Sequence, residues 1–108
     1  MKPTLGDLEQ LVLLAVLQLG DDAYGVSVQR EIARRAQRDV ALGAVYSALT
    51  RLEAKGFVRT RVGAPVAERG GRRKKMYIVQ AAGREAVRDA MRALRALSQG
   101  LAPAFGLR

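Results

Sequence analysis

The stretch "GFVRTRVGAPVAERGGRRKKMYIV", residues 56–79, decides the fold, because the hydrophobic pattern of the chain changes there. Residues 57–62 alternate in the way that is typical of a β-strand. A loop with Pro65 and three glycines follows, and "KKMYIVQ", residues 74–80, is the second strand candidate. The stretch therefore predicts a β-hairpin with a long basic tip.

The predicted hairpin is densely positive. From Arg59 to Lys75 there are seven cations and one acid, Glu68, so the local net charge is +6. Like charges packed this closely repel one another, and an array of phosphates relieves the repulsion through counterion release. A hairpin also fixes where these charges meet a duplex. We interpret the cluster as a phosphate-binding surface; a solvated loop with incidental charge is the alternative.

Three helical segments are predicted before the hairpin. Apolar residues recur at spacings of three and four in residues 5–19, 25–37 and 43–55, and this spacing marks the buried face of a helix. The first segment is apolar nearly all round, and such a helix is buried on more than one side. Gly56 stands where a left-handed C-terminal cap is favoured after the third segment.

A last helix is predicted from Ala81 to about Gly100, and its apolar stripe has little chain left to cover it. An exposed apolar stripe would form a hydrophobic patch that is prone to association, and such a patch is most often buried in a twofold dimer interface. The alternative is that this helix folds back on the first helix of its own chain, and both arrangements can hold at once. The residues assigned to the dimer interface are Leu5, Leu8, Val87, Met91, Leu94, Leu97 and Leu101.

The predicted order of helix, helix, helix, strand, basic loop, strand, helix is the plan of a winged helix-turn-helix, a mainly α fold with a small β-hairpin. The second helix of the helix-turn-helix pair enters the major groove of DNA, where each base pair shows a distinct pattern of donors and acceptors. We predict a DNA-binding domain at 1–80 and a dimerisation helix with a tail at 81–108. The residues assigned to DNA contact are Gly43, Ala44, Ser47, Thr50 and Arg51 on the third helix and Arg72, Arg73, Lys74 and Lys75 on the hairpin.

The amino-acid composition excludes several classes of function. The chain has 108 residues and a formal net charge of +9, which points to a polyanionic partner. It has neither cysteine nor histidine, so thiolate and imidazole metal sites and nucleophile–histidine pairs are excluded. We therefore expect no enzyme activity, no cofactor and a reducing, cytoplasmic location. The longest apolar run, Leu11–Leu17, is far shorter than the ~20 residues that cross a bilayer, so no membrane partner is expected.

Four segments of the chain form a series in order and spacing. They are "LGDLEQLVLLAVL" at 5–17, "YGVSVQREI" at 24–32, "LGAVYSALTRLEAKGFV" at 42–58 and "GGRRKKMYIVQAAGREAV" at 70–87. This series resembles the PadR-like transcriptional regulators over essentially the whole chain. The resemblance implies a homodimeric repressor that binds a double-stranded DNA operator and whose last helix pairs with the other subunit.

The same resemblance carries two finer expectations. It implies that Tyr46 faces DNA, while a buried phenol is the alternative interpretation of this residue. The short C-terminal region resembles a subgroup in which some members bind flat hydrophobic compounds between the subunits. The resemblance to this subgroup therefore implies a small hydrophobic effector that binds at the dimer interface and releases the repressor from DNA.

The sequence departs from the family at the start of the third helix. Family members often carry Ser-Pro and a Thr there, whereas this chain has Ala41, Leu42 and Ala44, so two hydroxyl contacts to DNA are in doubt. Tryptophan is absent, which also puts in doubt a ligand site built on stacked indoles. A basic RNA-binding module is the alternative function. Such modules usually stack bases on exposed aromatic residues of a strand, and Phe57 and Tyr77 are too few for this.

Overall fold

The computed structural model describes residues 4–65 and 73–106. Within these ranges the elements follow the predicted order, which confirms a mainly α fold with a small antiparallel β-hairpin. The elements are α1 (Asp7–Leu19), α2 (Gly25–Ala36), α3 (Leu42–Ala54), β1 (Val58–Pro65), β2 (Arg73–Val79) and α4 (Ala81–Ser98), with short 3-10 turns at Gly20–Asp22 and Ala102–Phe105. Among the described residues, no helix combines the length and the apolarity that crossing a bilayer requires.

Helix α1 lies at the centre of the hydrophobic core. Its residues Val12, Leu13 and Val16 are buried, and α2, α3, β2 and α4 all contact this helix. α3 contributes the fully buried Leu49 to the same cluster. Each fully buried leucine stabilises the fold by about 1.5–3 kcal/mol. The prediction that α1 is buried on more than one side therefore holds, except at Leu17, which is 36% exposed.

The hairpin is fixed to the helical core at its base. Val58 lies opposite Val79 and Thr60 opposite Tyr77 in the antiparallel register. The N–H of Tyr77 donates a 2.8 Å hydrogen bond to the carbonyl of Ala23, just before α2. Burial of the Tyr77 ring raises the pKa of its hydroxyl. The strands that lead to the basic end of the hairpin therefore start from a rigid base.

Helix α4 is attached to the core through its first half. Gly83 and Val87 are the buried residues of this helix. The chain enters it through a 2.8 Å hydrogen bond from the N–H of Gln80 to the carbonyl of Phe57. From residue 91 to residue 100 every residue is exposed. The second half of α4 is therefore not covered by the described part of its own chain.

The packing of α4 on Phe57 predicts a large effect for one added methyl group. A Cβ atom at Gly83 would overlap the carbonyl oxygen of Phe57, the residue before β1. Because this neighbour is backbone, a strand or helix must shift, and we expect Gly83→Ala to lower the free energy of unfolding by about 1–3 kcal/mol. Urea denaturation measures this change.

Gly43→Ala is the matched control for this prediction. A Cβ atom at Gly43 meets no atom within 4 Å in the described part of the chain. Gly43 also lies in the first turn of α3, where alanine restricts the unfolded chain and suits a helix, so the stability should stay equal or rise slightly. Equal stability of the Gly83 and Gly43 variants would contradict the close contact between α4 and Phe57.

Candidate nucleic-acid interface

Helix α3 presents one small and polar face to solvent. Gly43, Ser47, Thr50 and Arg51 are exposed, and we call these four residues the α3 outer face. The hydroxyl of Thr50 donates a 2.9 Å hydrogen bond to the carbonyl four residues earlier, so its oxygen can still accept a bond from outside. Ala44, also predicted to contact DNA, is half-buried at the edge of this face. The face is small enough for close approach and carries polar side chains at three positions.

Tyr46 is half-buried against the start of α2. An added Cβ atom at Gly25 would overlap Cζ and the hydroxyl oxygen of Tyr46. The ring therefore uses the space that only a glycine leaves. This contact agrees with the buried-phenol interpretation of Tyr46 and explains why a glycine follows Tyr24. Sequence reasoning missed the pairing, because residues 25 and 46 lie on different helices.

Arg51 is joined to α1 by a buried carboxylate. Glu9 is 3% exposed, and its Oε2 accepts a 3.3 Å bond from Nε of Arg51. The Nζ of Lys55 donates to both carboxylate oxygens of Glu9, at 2.8 and 2.9 Å, and to the carbonyl of Thr4 at 2.7 Å. The N–H of Gly6 gives Glu9 a further bond of 2.7 Å. This ionic cluster, Glu9 with Arg51 and Lys55, links the start of α1 to the end of α3.

The pKa of Glu9 reflects this cluster. Burial alone would raise the pKa of the carboxyl group, since it disfavours the charged form. Hydrogen bonds from the Gly6 N–H, from Lys55 and from Arg51 favour the charged form, together with the positive charge of Lys55. These bonds prevail, and the pKa of Glu9 lies below its ordinary value of 4.5.

The lowered pKa predicts that Glu9→Gln makes the protein less sensitive to acid. The unfolded chain binds the Glu9 proton more tightly than the folded chain. The stabilisation from Glu9 is therefore full above its ordinary pKa of 4.5 and is lost as the pH falls through the lower folded value. Between pH 7 and about pH 3, the unfolding free energy of the wild type should fall further than that of Glu9→Gln. Urea denaturation at both pH values measures the two losses, and equal losses would contradict the ionic cluster.

The turn between α2 and α3 is fixed by a side chain. Nε2 of Gln29 donates a 2.9 Å hydrogen bond to the carbonyl of Val40. On the next turn of α2, Arg34 and Arg35 both contact the buried carboxylate of Glu31. Their hydrogen bonds lower the pKa of Glu31. The Gln29 bond thus links α2 to the turn that leads into α3, the second helix of the helix-turn-helix pair.

The two hairpin lysines differ in exposure. Lys75 is exposed, as expected for a cation that meets phosphate. Lys74 is half-buried, and its Nζ lies 3.9 Å from the centroid of the buried Tyr24 ring. This is the distance of a cation–π contact. Lys74 is predicted to contact DNA, and in the structure its ammonium group lies against the ring of the residue that precedes α2.

Two further cations of the hairpin lie on β1. Arg59 and Arg61 are exposed on β1, and Arg61 lies within 3.4 Å of the carbonyl of Asp21. Arg72 and the side chain of Arg73, both predicted to contact DNA, lie outside the described residues. The described strands thus carry exposed cations along the hairpin toward its end.

An exposed row of large apolar residues runs along the second half of α4 and the turn after it. The exposed fraction of the residue is 42% for Met91, 61% for Leu94, 82% for Leu97 and 43% for Leu101. We call these four residues the apolar stripe. Phe105 extends it and is 62% exposed.

Val87 is the residue of the predicted dimer interface that the structure reassigns. It is 3% exposed and packs into the core of its own chain. The first half of the α4 pattern is therefore covered by the subunit itself. Leu5 and Leu8, also predicted at the interface, are half-buried against the same core.

A cavity of about 540 Å³ lies between the start of α1 and the first half of α4. Leu5, Phe57, Ala86 and Ala90 form apolar parts of its wall. Glu85 lies at the same wall and is exposed. A cavity of this size is within the range that small ligands occupy in proteins.

Comparison with known proteins gives a family for the chain. The family model described as "Transcriptional regulator PadR-like family" matches residues 13–89. This range begins within α1 and ends within α4. No curated protein sequence matches the chain.

Several solved structures share the fold. A PadR-like transcriptional regulator from Bacillus cereus has a TM-score of 0.73 at 18% identity, over 91% of this chain and 90% of that chain. A PadR family regulator from Eggerthella lenta has a TM-score of 0.70 at 22% identity, over 92% and 86%. Bacillus subtilis PadR, solved in complex with operator DNA, has a TM-score of 0.64 at 19% identity, over 78% and 47%. These similarities show the winged-helix fold.

Proposed function

Since the chain belongs to the PadR-like family of transcriptional regulators, we propose that it is a homodimeric repressor that binds a specific double-stranded DNA operator. The observation that carries the proposal is the α3 outer face, which is small, polar and exposed beside a positively charged hairpin. The relative from Bacillus subtilis that was solved with operator DNA supports the same partner.

Base recognition in this proposal belongs to α3. An α-helix with its side chains is about as wide as the major groove of B-DNA. Ser47 and Thr50 supply hydroxyl groups, and Arg51 supplies a guanidinium group that suits guanine. The absence of large side chains at Gly43 and Ala44 favours close approach of the helix to the base edges. This DNA-binding domain comprises residues 1–80.

Phosphate binding belongs to the hairpin in this proposal. The cations assigned to it are Arg72, Arg73, Lys74 and Lys75, and the arginines at positions 59 and 61 add positive charge to the hairpin. Phosphate contacts fix the position of a protein on the duplex without carrying sequence information. The hairpin thus sets the register in which α3 meets the bases.

Dimerisation belongs to α4 and the tail, residues 81–108. The apolar stripe offers several half-exposed or largely exposed side chains, and burial of each stabilises an interface by about 1.5–3 kcal/mol. A twofold axis through this helix also suits an operator with two symmetric half-sites. The proposed partner of the stripe is the same stripe on a second copy.

The proposal includes a small hydrophobic effector that is held near the dimer interface and releases the repressor from DNA. The cavity beside Leu5, Phe57 and Ala86 supports it, because it is largely apolar and borders α4. The proposed location is the cytoplasm, because chromosomal DNA is the proposed partner.

A gel shift tests the proposed function against the RNA-binding alternative. The probes are the duplex upstream of the reading frame of this protein and a structured RNA of the same length, at several salt concentrations. The family resemblance suggests autoregulation, so we expect the duplex to be retarded at lower protein concentration. The logarithm of the binding constant should fall linearly with the logarithm of the salt concentration. Tighter binding to the RNA at every salt concentration would reject the repressor.

A further inference from the structure

The buried carboxylate of Glu9 is already compensated by Lys55 and Gly6, and Arg51 donates an additional hydrogen bond to it. The Glu9 side chain is 4% exposed, and a buried carboxylate without a partner costs several kcal/mol. Lys55 already contacts both carboxylate oxygens, at 2.8 and 2.9 Å, and the Gly6 N–H adds a third bond. The bond from Arg51 is longer, at 3.3 Å. The charge of Glu9 is thus compensated mainly by Lys55. The main effect of the bond between Glu9 and Arg51 is therefore to restrict the Arg51 side chain.

The atom that Arg51 uses in this bond is informative. Glu9 accepts from Nε, the guanidinium nitrogen nearest the backbone. The two terminal nitrogens carry the other four N–H groups of the guanidinium. These terminal groups are the ones that bind O6 and N7 of guanine with two parallel bonds. The Arg51 side chain is 53% exposed, so its outer end is accessible although its inner nitrogen is held.

Holding the inner nitrogen restricts a flexible side chain. A free arginine side chain populates many rotamers, and binding to a base must otherwise remove this rotamer entropy. Lys55 lies one helical turn after Arg51, and two like charges at this spacing repel each other. The carboxylate of Glu9 lies between them and offsets this repulsion.

We propose that Glu9 is a positioning residue for DNA recognition: by binding Nε of Arg51 it directs the terminal amino groups of Arg51 to a guanine in the major groove. This inference rests on the proposed function of α3. Glu9 itself does not touch DNA in this arrangement. Lys55, whose side chain is 27% exposed and bound at three oxygens, stays with Glu9 and reads no base.

A double-mutant cycle tests the proposal. The proteins are the wild type, Glu9→Gln, Arg51→Ala and the double variant, each as the full chain. Fluorescence anisotropy measures their affinity for the tightest duplex from a random-sequence selection with the wild type. Because the proposed dimer carries Arg51 in both subunits, Arg51→Ala should remove two bidentate base contacts, each worth about 5- to 150-fold, and weaken binding by at least about 30-fold. Glu9→Gln should weaken it by about 3- to 10-fold, and in the Arg51→Ala background by less than about 2-fold.

The readout separates positioning from general stability. The Glu9→Gln substitution keeps the size of the side chain and an acceptor oxygen but removes the charge that holds the guanidinium. Glu9→Asp is the second variant, in case the Glu9→Gln protein does not fold. It keeps the charge that Lys55 needs and shortens the reach toward Arg51, where the bond is longest. Glu9→Asp should therefore reproduce the loss of affinity while circular dichroism shows a folded protein.

Each possible result supports or rejects a distinct claim. If Arg51→Ala lowers the affinity for DNA but Glu9→Gln and Glu9→Asp do not, Glu9 does not position Arg51. The proposed DNA-binding role of α3 would remain intact in that case. An equal loss on Glu9→Gln in both Arg51 backgrounds would show that Glu9 only stabilises the fold. Unchanged affinity of Arg51→Ala would remove Arg51 from the DNA interface and reject both the positioning and this part of the proposed function.

Discussion

Leu94→Asp should convert the proposed dimer into a monomer. Leu94 is 61% exposed in the subunit, so an aspartate there is compatible with the fold of a single chain. In the proposed dimer it would lie within an apolar interface, where an unpaired charge costs several kcal/mol. Light scattering after size-exclusion chromatography should give about half the mass of the wild type. Because a monomer engages one half-site at a time, operator affinity should fall by about 10²- to 10⁴-fold.

Ala96→Asp is the control for the dimer prediction. Ala96 is exposed on the same half of α4, about half a helical turn away from Leu94, and lies off the apolar stripe. The same charge at this position should leave the mass of the dimer unchanged. A dimeric mass for Leu94→Asp, or a monomeric mass for both variants, would contradict pairing through the apolar stripe.

Charge reversal on the hairpin should weaken DNA binding and lower its salt dependence. The change is Arg72→Glu together with Arg73→Glu, in the segment where the chain is most positive. A dimer then loses up to four phosphate contacts, and each contributes about 0.9 to the slope of log K against log salt, so the slope should fall by roughly 2 to 4. Affinity should fall by at least about 100-fold at low salt and by a similar factor for every sequence, because phosphates carry no sequence information.

Arg84→Glu with Arg88→Glu is the control for the hairpin prediction. Both arginines are exposed on the first half of α4, so the net charge of the protein changes equally while the hairpin is untouched. We expect a much smaller change of slope for this pair, provided that its mass stays that of a dimer. Equal slopes for the two double variants would mean that net charge, and not the hairpin, attracts the DNA.

The order of elements could be predicted because local patterns decide it. The spacing predicts the third helix at 43–55, and the helix lies at Leu42–Ala54; it predicts the second strand at 74–80, and the strand lies at Arg73–Val79. The change from helical to alternating spacing at Gly56 depends only on neighbouring residues. Such signals depend only on residues that are close together in the sequence, so one sequence is enough to reveal them.

Contacts between distant residues could not be predicted in this way. Glu9 and Arg51 are 42 positions apart, and no local pattern distinguishes a buried carboxylate from the other acids of a first helical turn. Lys74 belongs to a run of four cations, and nothing in the run indicates that its ammonium group meets the Tyr24 ring. Val87 follows the spacing of the apolar stripe, but the spacing does not tell which end of α4 its own core covers. All three features depend on tertiary packing.

The central claim is that a two-subunit frame presents α3 and the hairpin to one face of double-stranded DNA. Hydroxyl-radical footprinting of the wild-type protein on its tightest selected duplex tests this claim most directly. We expect two symmetric protected segments on the same face, with centres roughly 10–10.5 base pairs apart or a multiple of that spacing. A single protected segment, or protection around the whole circumference of the duplex, would contradict it.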